Sequence, residues 1–173
     1  DIRFGDQARQ ALIEGINKIA DAVKTTLGAR GNTVLIESEQ HVGGITVTKD
    51  GVTVANSINL MDPTENLAVR MMKEASAKTA SEAGDGTTTA IVLAQALIHE
   101  WQNRVKEGMN QTEIIRAIQK TGDYIVELLN DSSKKVSGSN LNDVATVSAN
   151  NDIELGDIIA QAYERVGVSG VVT

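Results

Sequence analysis

The stretch Ala83-Gly84-Asp85-Gly86-Thr87-Thr88-Thr89-Ala90 falls where one helical pattern stops and another starts. Two glycines flank a single carboxylate, leaving backbone that a ligand can approach closely. Three hydroxyls follow, on what the pattern makes the first turn of the next helix. Free N–H groups and the positive end of the helix dipole gather there, which suits a phosphate. Asp85 would repel a bare phosphate, so the segment makes chemical sense with a cation between them. Magnesium fits, because it takes one or two carboxylates and completes its shell with phosphate oxygens and water. The plainer reading is a helix cap, with Asp85 accepting a backbone N–H and the threonines in a first turn. Three successive threonines are poor helix formers, however, and that favours a use for their hydroxyls.

Helical periodicity extends outward from this point in both directions. The only proline, Pro63, precedes a helix expected over 65–82, and a second helix is expected over 87–107, closed by Gly108. A third, over 111–130, places Ile114, Ile118, Ile125 and Leu129 on one side. Near the start, Ala8, Leu12, Ile16, Ile19, Val23 and Leu27 recur at threes and fours, predicting an amphipathic helix over 4–27 with Gly28 as C-cap. Between these helices, 33–37 is β-branched and reads as a strand. Gly43-Gly44 then leads into the alternating Ile45-Thr46-Val47-Thr48. Asp50-Gly51 interrupts, and Val52-Thr53-Val54 resumes the alternation, which predicts a hairpin turn at Asp50-Gly51. Residues 132–140 form a polar loop, followed by shorter helices over 141–147 and 153–166, with Asp152 as an N-cap. Val171-Val172-Thr173 reads as a strand just beginning; a lone strand is not stable, so the chain is expected to be a truncated piece. The expected fold is mainly α with a small β-hairpin, an α+β arrangement, with one domain over 1–132 and the start of another over 133–173.

Composition narrows the function classes. Of 173 residues, 41% are hydrophobic but only 2% aromatic, so the core must be built from Ala, Val, Ile and Leu. The net charge of −7 argues against nucleic acid, whose affinity rests on Lys and Arg contacts to phosphate. No apolar run approaches the roughly 20 residues needed to cross a bilayer, and no signal peptide is recognisable. Without cysteine, disulfides and thiolate metal sites are unavailable.

Two further motifs carry both a structural and a chemical reading. Lys49-Asp50-Gly51 is either a simple turn or a lysine beside phosphate with a carboxylate near the attacked phosphorus. Thr26-Leu27-Gly28-Ala29-Arg30-Gly31 is either a capped helix end or a glycine loop whose backbone approaches a nucleotide. Neither a Gly-x-x-x-x-Gly-Lys-Ser/Thr loop nor a dinucleotide fingerprint is present. His41 and His99 lack partners for a metal set and read as solvent-facing or structural. Trp101 and the pair Met71-Met72 read as packing residues, and Glu65, Glu74, Glu82 and Glu107 as solvated helix faces.

Taken together, the blocks resemble the N-terminal part of a bacterial-type (group I, GroEL-like) chaperonin. The likeness rests on Asp21-Ala22-Val23-Lys24 with Thr26-Leu27-Gly28, on residues 46–52, on 83–90, and on Val92-Leu93-Ala94-Gln95-Ala96. Gly108-Met109-Asn110, Ser148-Ala149-Asn150 and the closing Gly170-Val171-Val172-Thr173 extend it along nearly the whole chain. The resemblance implies an equatorial ATP-binding domain followed by the start of an intermediate domain. Thr26, Leu27, Gly28 and Ala29 would line the nucleotide, and the backbones of Thr26 and Lys49 would bind potassium. Lys49 would lie close to the phosphates, Asp85 would hold magnesium, and Gly86, Thr87, Thr88 and Thr89 would wrap the phosphates. Asp50 would sit by the attacking water as the catalytic carboxylate. Its partner in the family is a second aspartate, which this chain does not contain, so the isolated piece is expected to hydrolyse little or no ATP.

The implied partners are identical subunits in a ring, a co-chaperonin lid and unfolded client proteins, in the bacterial cytoplasm or an organelle matrix. Three departures stand out. Ala29 replaces the family's usual proline, which leaves that loop's φ less restricted. Asn56-Ser57 replaces a charged pair, and residues 67–70 also differ, in regions the family uses near subunit contacts. The alternative reading is a non-catalytic helical assembly module that keeps this fold without the ATPase.

Overall fold

The aliphatic stripe of the first helix sets the packing. In the structure, a computed structural model describing residues 2–28, 31–38, 44–136, 139–149, 151–167 and 170, helix α1 spans Gly5–Val23. A 3-10 turn over Lys24–Thr26 tightens its end. Strands β1 (Val34–Glu37) and β2 (Ile45–Thr48) follow, then helices α2 (Gly51–Ser57), α3 (Pro63–Ala83), α4 (Thr87–Lys106), α5 (Gln111–Ser132), α6 (Ser139–Ser148) and α7 (Ile153–Val166). The fold is thus mainly helical with one two-stranded antiparallel sheet, the class the sequence predicts.

Two compact units divide inside α5, one over Asp1–Ala117 and the other over Ile118–Thr173. In the first, α1, α3 and α4 pack on one another and α2 closes the group. The core joins Ile16, Ile19, Ala20 and Val23 of α1 to Val54 and Ala55 of α2, Ala68, Val69 and Met72 of α3, and Ile91 of α4. Each fully buried Ile or Val removes apolar surface worth about 1.5–3 kcal/mol. Helices α1 and α3 approach so closely at Gly15 that a Cβ there would lie 2.2 Å from the Glu65 carbonyl oxygen. Beside that crossing, Lys18 Nζ donates to Glu65 Oε2 at 2.5 Å, and Arg3 bridges Asp62 at 2.6 Å. Asp62 also caps α3, accepting from the N–H groups of Thr64 and Glu65, with Pro63 at the first helical position.

In the second unit α6 packs on α7, with Ala145 and Ala160 buried between them. Asn142 donates to Asp157 across that contact at 2.8 Å, and Asp152 caps α7 by accepting from the Leu155 N–H, as expected.

Several expectations need correction. The hairpin does not turn at Asp50-Gly51: β1 pairs with β2 in the register Val34↔Thr48 to Glu37↔Ile45, so the connection lies before β2. Asp50 is instead the N-cap of α2, and Val52-Thr53-Val54 is helical. Capping and the burial of Val54 and Ala55 outweigh the β preference of that run. Met72 is buried but Met71 is 62% exposed, because neighbouring helical positions point about 100° apart. Glu65 is no solvated face, being ion-paired to Lys18 with a largely covered side chain. Trp101 packs under the Arg9 guanidinium, 5.9 Å from the ring centre, and His99 Nε2 meets Asn17 Oδ1 at 2.6 Å, a structural contact. Ala29, Arg30, His41, Gly43 and the strand expected at 171–173 lie outside the described residues.

Candidate functional site

Three chain segments far apart in sequence line one cleft of about 220 Å³: residues 26–28, 49–51 and 85–89. Every candidate site residue except Ala29 lies there: Thr26, Leu27, Gly28, Lys49, Asp50, Asp85, Gly86, Thr87, Thr88 and Thr89. The shared aliphatic core places them, since each segment begins or ends a helix anchored in it. Thr26 follows α1, Asp50 starts α2, and Asp85 joins α3 to α4.

The joint between α3 and α4 is set by handedness. Gly84 ends α3 at φ 74° and Gly86 opens α4 at φ 85°, a conformation that L side chains resist. Asp85 sits between them. Among the described residues its Oδ1 accepts only the adjacent Gly86 N–H, at 2.6 Å, so the helix-cap reading does not hold. Gly86 is the N-cap, and no side chain caps α4. The first turn of α4 therefore borders the cleft with N–H groups that no side chain caps among the described residues, beside the three threonines.

The Asp50 carboxylate is held on both oxygens. Oδ1 accepts from the Val52 N–H at 3.2 Å, while Oδ2 accepts from the Thr53 N–H at 2.9 Å and the Thr53 hydroxyl at 2.5 Å. On the other side, the Asp50 N–H donates to Thr48 Oγ1 at 3.0 Å. Partial desolvation pushes the carboxyl pKa up, but the three donors outweigh it and leave Asp50 below its ordinary 3.8. Gly51 leaves room for its neighbours: a Cβ there would lie 1.9 Å from Thr88 Oγ1 and 3.2 Å from Thr26 Oγ1. The three segments thus meet at Gly51. Thr26 Oγ1 itself donates back to the Val23 carbonyl at 2.8 Å.

Two carboxylates and one ammonium line the cleft, so a polyphosphate entering alone would meet net negative charge. A divalent cation would remove that obstacle. Among the described residues no group of three His, Cys, Asp or Glu could hold a metal unaided. One carboxylate with phosphate oxygens and water is, however, how magnesium is commonly held. The residues present therefore fit a magnesium-bound phosphate chain. The cleft volume falls below the roughly 300–1,000 Å³ of sites that enclose a whole drug-sized ligand, and so it suits the phosphate end alone.

Sequence reasoning named Gly51 only within the Lys49-Asp50-Gly51 motif, and it missed Thr53 and Thr48, whose hydroxyls bond to Asp50. A usable signal was the Asp50-to-Thr53 spacing, which matches the N-cap and N3 positions of a capping box.

The model of the TCP-1/cpn60 chaperonin family matches residues 19–169. Two solved structures resemble the chain with a TM-score of 0.85 and 30% sequence identity over 97% of it. Both are of the chaperonin gp146 from the bacteriophage EL 2 (Pseudomonas aeruginosa) in the presence of ATP-BeFx, in two crystal forms. The chain spans 30% of the length of that protein.

Proposed function

Because the chain belongs to the TCP-1/cpn60 chaperonin family, we propose that it supplies the phosphate-binding half of the ATP site in a group I, protein-folding chaperonin subunit. The single observation that carries this reading is the convergence of residues 26–28, 49–51 and 85–89 on the uncapped start of α4. The crystal structures of the phage relative in the presence of ATP-BeFx support a nucleotide as the ligand.

In the proposed mechanism, the N–H groups and hydroxyls of Thr87, Thr88 and Thr89 take the phosphate oxygens. Lys49 offsets their charge. Asp85 would hold magnesium, which would neutralise the triphosphate and polarise its terminal phosphorus. The backbones of Thr26 and Lys49 would hold potassium, and the loop 26–29 would support the nucleotide. Asp50, kept anionic and immobile by its three donors, accepts a hydrogen bond from the attacking water. The water oxygen bonds to the terminal phosphorus as the phosphoanhydride bond breaks, giving ADP and phosphate. Positioning and electrostatics supply most of the acceleration in such reactions.

The equatorial domain covers 1–132 in this reading, and the intermediate domain begins at 133. In the complete subunit, hydrolysis drives a ring of identical copies between client-holding and client-enclosing states. A co-chaperonin lid and unfolded proteins are the partners, and the cytoplasm or an organelle matrix the setting. The 173-residue piece alone hydrolyses little or no ATP.

Asp85→Ala in the complete subunit tests the site. Magnesium dependence of ATP binding, followed by calorimetry, should disappear together with phosphate release. Magnesium-ATP binding equal to that of the parent would leave the non-catalytic assembly module as the better reading.

A further inference from the structure

The Thr53 hydroxyl is more than the α2 cap requires. One backbone N–H on each Asp50 oxygen already completes the cap, from Val52 to Oδ1 and from Thr53 to Oδ2. The hydroxyl adds a second donor to Oδ2 at 2.5 Å. A threonine hydroxyl has one proton to give, so this contact commits it. Oδ2 is thereby occupied twice, and Oδ1 keeps the freer lone pair. Thr53 itself does not line the phosphate cleft. It borders a separate cavity of about 360 Å³ with Ile36, Thr46, Asn56 and Ser57, and so reaches Asp50 from behind.

Resting on the ATPase reading above, we propose that Thr53 is a positioning residue for hydrolysis: its hydroxyl saturates Asp50 Oδ2, fixes the plane of the carboxylate and leaves Oδ1 as the atom that orients the attacking water. Thr53 touches neither nucleotide nor water, and its effect passes entirely through Asp50. Nucleotide binding, carried by 26–28, Lys49 and 85–89, is independent of it. Without the hydroxyl, one N–H on each oxygen would still hold the carboxylate, but less tightly and with Oδ2 as open to water as Oδ1, and misplacement of about 1 Å can cost on the order of a hundredfold in rate.

The test uses the complete subunit with Thr53→Val, which keeps the shape and removes the donor, and Thr53→Ser, which keeps the donor. Steady-state ATP hydrolysis of the valine variant should show kcat lowered at least about tenfold with KM within about twofold. Calorimetric binding of a non-hydrolysable ATP analogue should be unchanged, and the serine variant should regain most of kcat. An unchanged kcat in the valine variant overturns the proposal. So does an equal loss in valine and serine variants, which would show that the hydroxyl alone does not sustain the rate and would assign the effect to packing of the whole side chain, or a change confined to KM. Should the valine variant fail to fold, Thr53→Ala is measured under the same criteria. A parent subunit without any hydrolysis would sink the ATPase reading itself, a separate outcome that removes this inference with it.

Discussion

Adding one methyl group at position 51 should separate the cleft's chemistry from the fold's stability. In Gly51→Ala the new Cβ would stand 1.9 Å from Thr88 Oγ1. Ordinary contact needs roughly 3.5 Å, so the hydroxyl must retreat by about 1.6 Å. The obstacle is a side chain, and threonine in a helix populates two χ1 positions, so Thr88 can swing aside. Alanine at a helical position gains about 0.5–1 kcal/mol over glycine, against about 1–3 kcal/mol for overpacking. The net loss of stability is therefore at most about 2.5 kcal/mol, and the fold survives. Function has no such compensation, because the displaced hydroxyl is one that would face phosphate. A shift above 1 Å should lower kcat/KM for magnesium-ATP by at least about tenfold, with up to about a hundredfold within reach. Thermal unfolding and ATP hydrolysis of the complete subunit, measured on the same preparation, decide the matter. Parent-level kcat/KM in a folded Gly51→Ala subunit would refute the reasoning. A loss of activity matched entirely by a loss of folded protein would refute it equally.

Gly15→Ala should do the reverse, since its Cβ would meet the Glu65 carbonyl oxygen at 2.2 Å, and backbone cannot rotate away. Helices α1 and α3 must separate, at a cost of about 1–3 kcal/mol in denaturant unfolding, with kcat of the folded fraction retained. Unaltered stability would mean that the helices do not meet there. Acid should also weaken the fold through Asp62, whose carboxyl is held below its ordinary 3.8 first by the Glu65 N–H and then by Arg3. A depressed folded-state pKa gives stability that is complete above the unfolded value and is lost as pH falls through the folded one. The midpoint of the parent should therefore drop more steeply than that of Asp62→Asn between about pH 5 and about pH 3. Parallel curves would rule Asp62 out as a source of the acid sensitivity.

Much of this was legible in the sequence, because the helices are long and their signals redundant. Pro63, the stripe through Ile16, Ile19 and Val23, and the glycines flanking Asp85 each announced an element that the structure contains. The cleft was legible for a different reason: its three segments are element ends marked by glycine and threonine, and a family pattern joined them. The reading failed where local preferences conflict. Asp-Gly before a β-branched run reads as a hairpin turn, yet the same aspartate is an excellent N-cap, and only burial of Val54 and Ala55 decides between the two. Met71 and Met72 are chemically identical, and one position of helical phase separates exposed from buried. Thr53 was overlooked because a hydroxyl turned toward its own N-cap leaves no mark on hydrophobic periodicity, and its spacing from Asp50 carries meaning only once Asp50 is read as an N-cap.

The scarcity of aromatic side chains has an optical consequence. Trp101 is the one indole in these 173 residues. It lies on α4 some 20 Å from Thr88, at 1.5 Å of rise per residue. Arg9 of α1 covers its ring, and its Nε1 is buried without a hydrogen-bond partner among the described residues. Tryptophan emission from this chain is therefore a gauge of how firmly the first helix lies on the fourth, read at the end of α4 remote from the threonines.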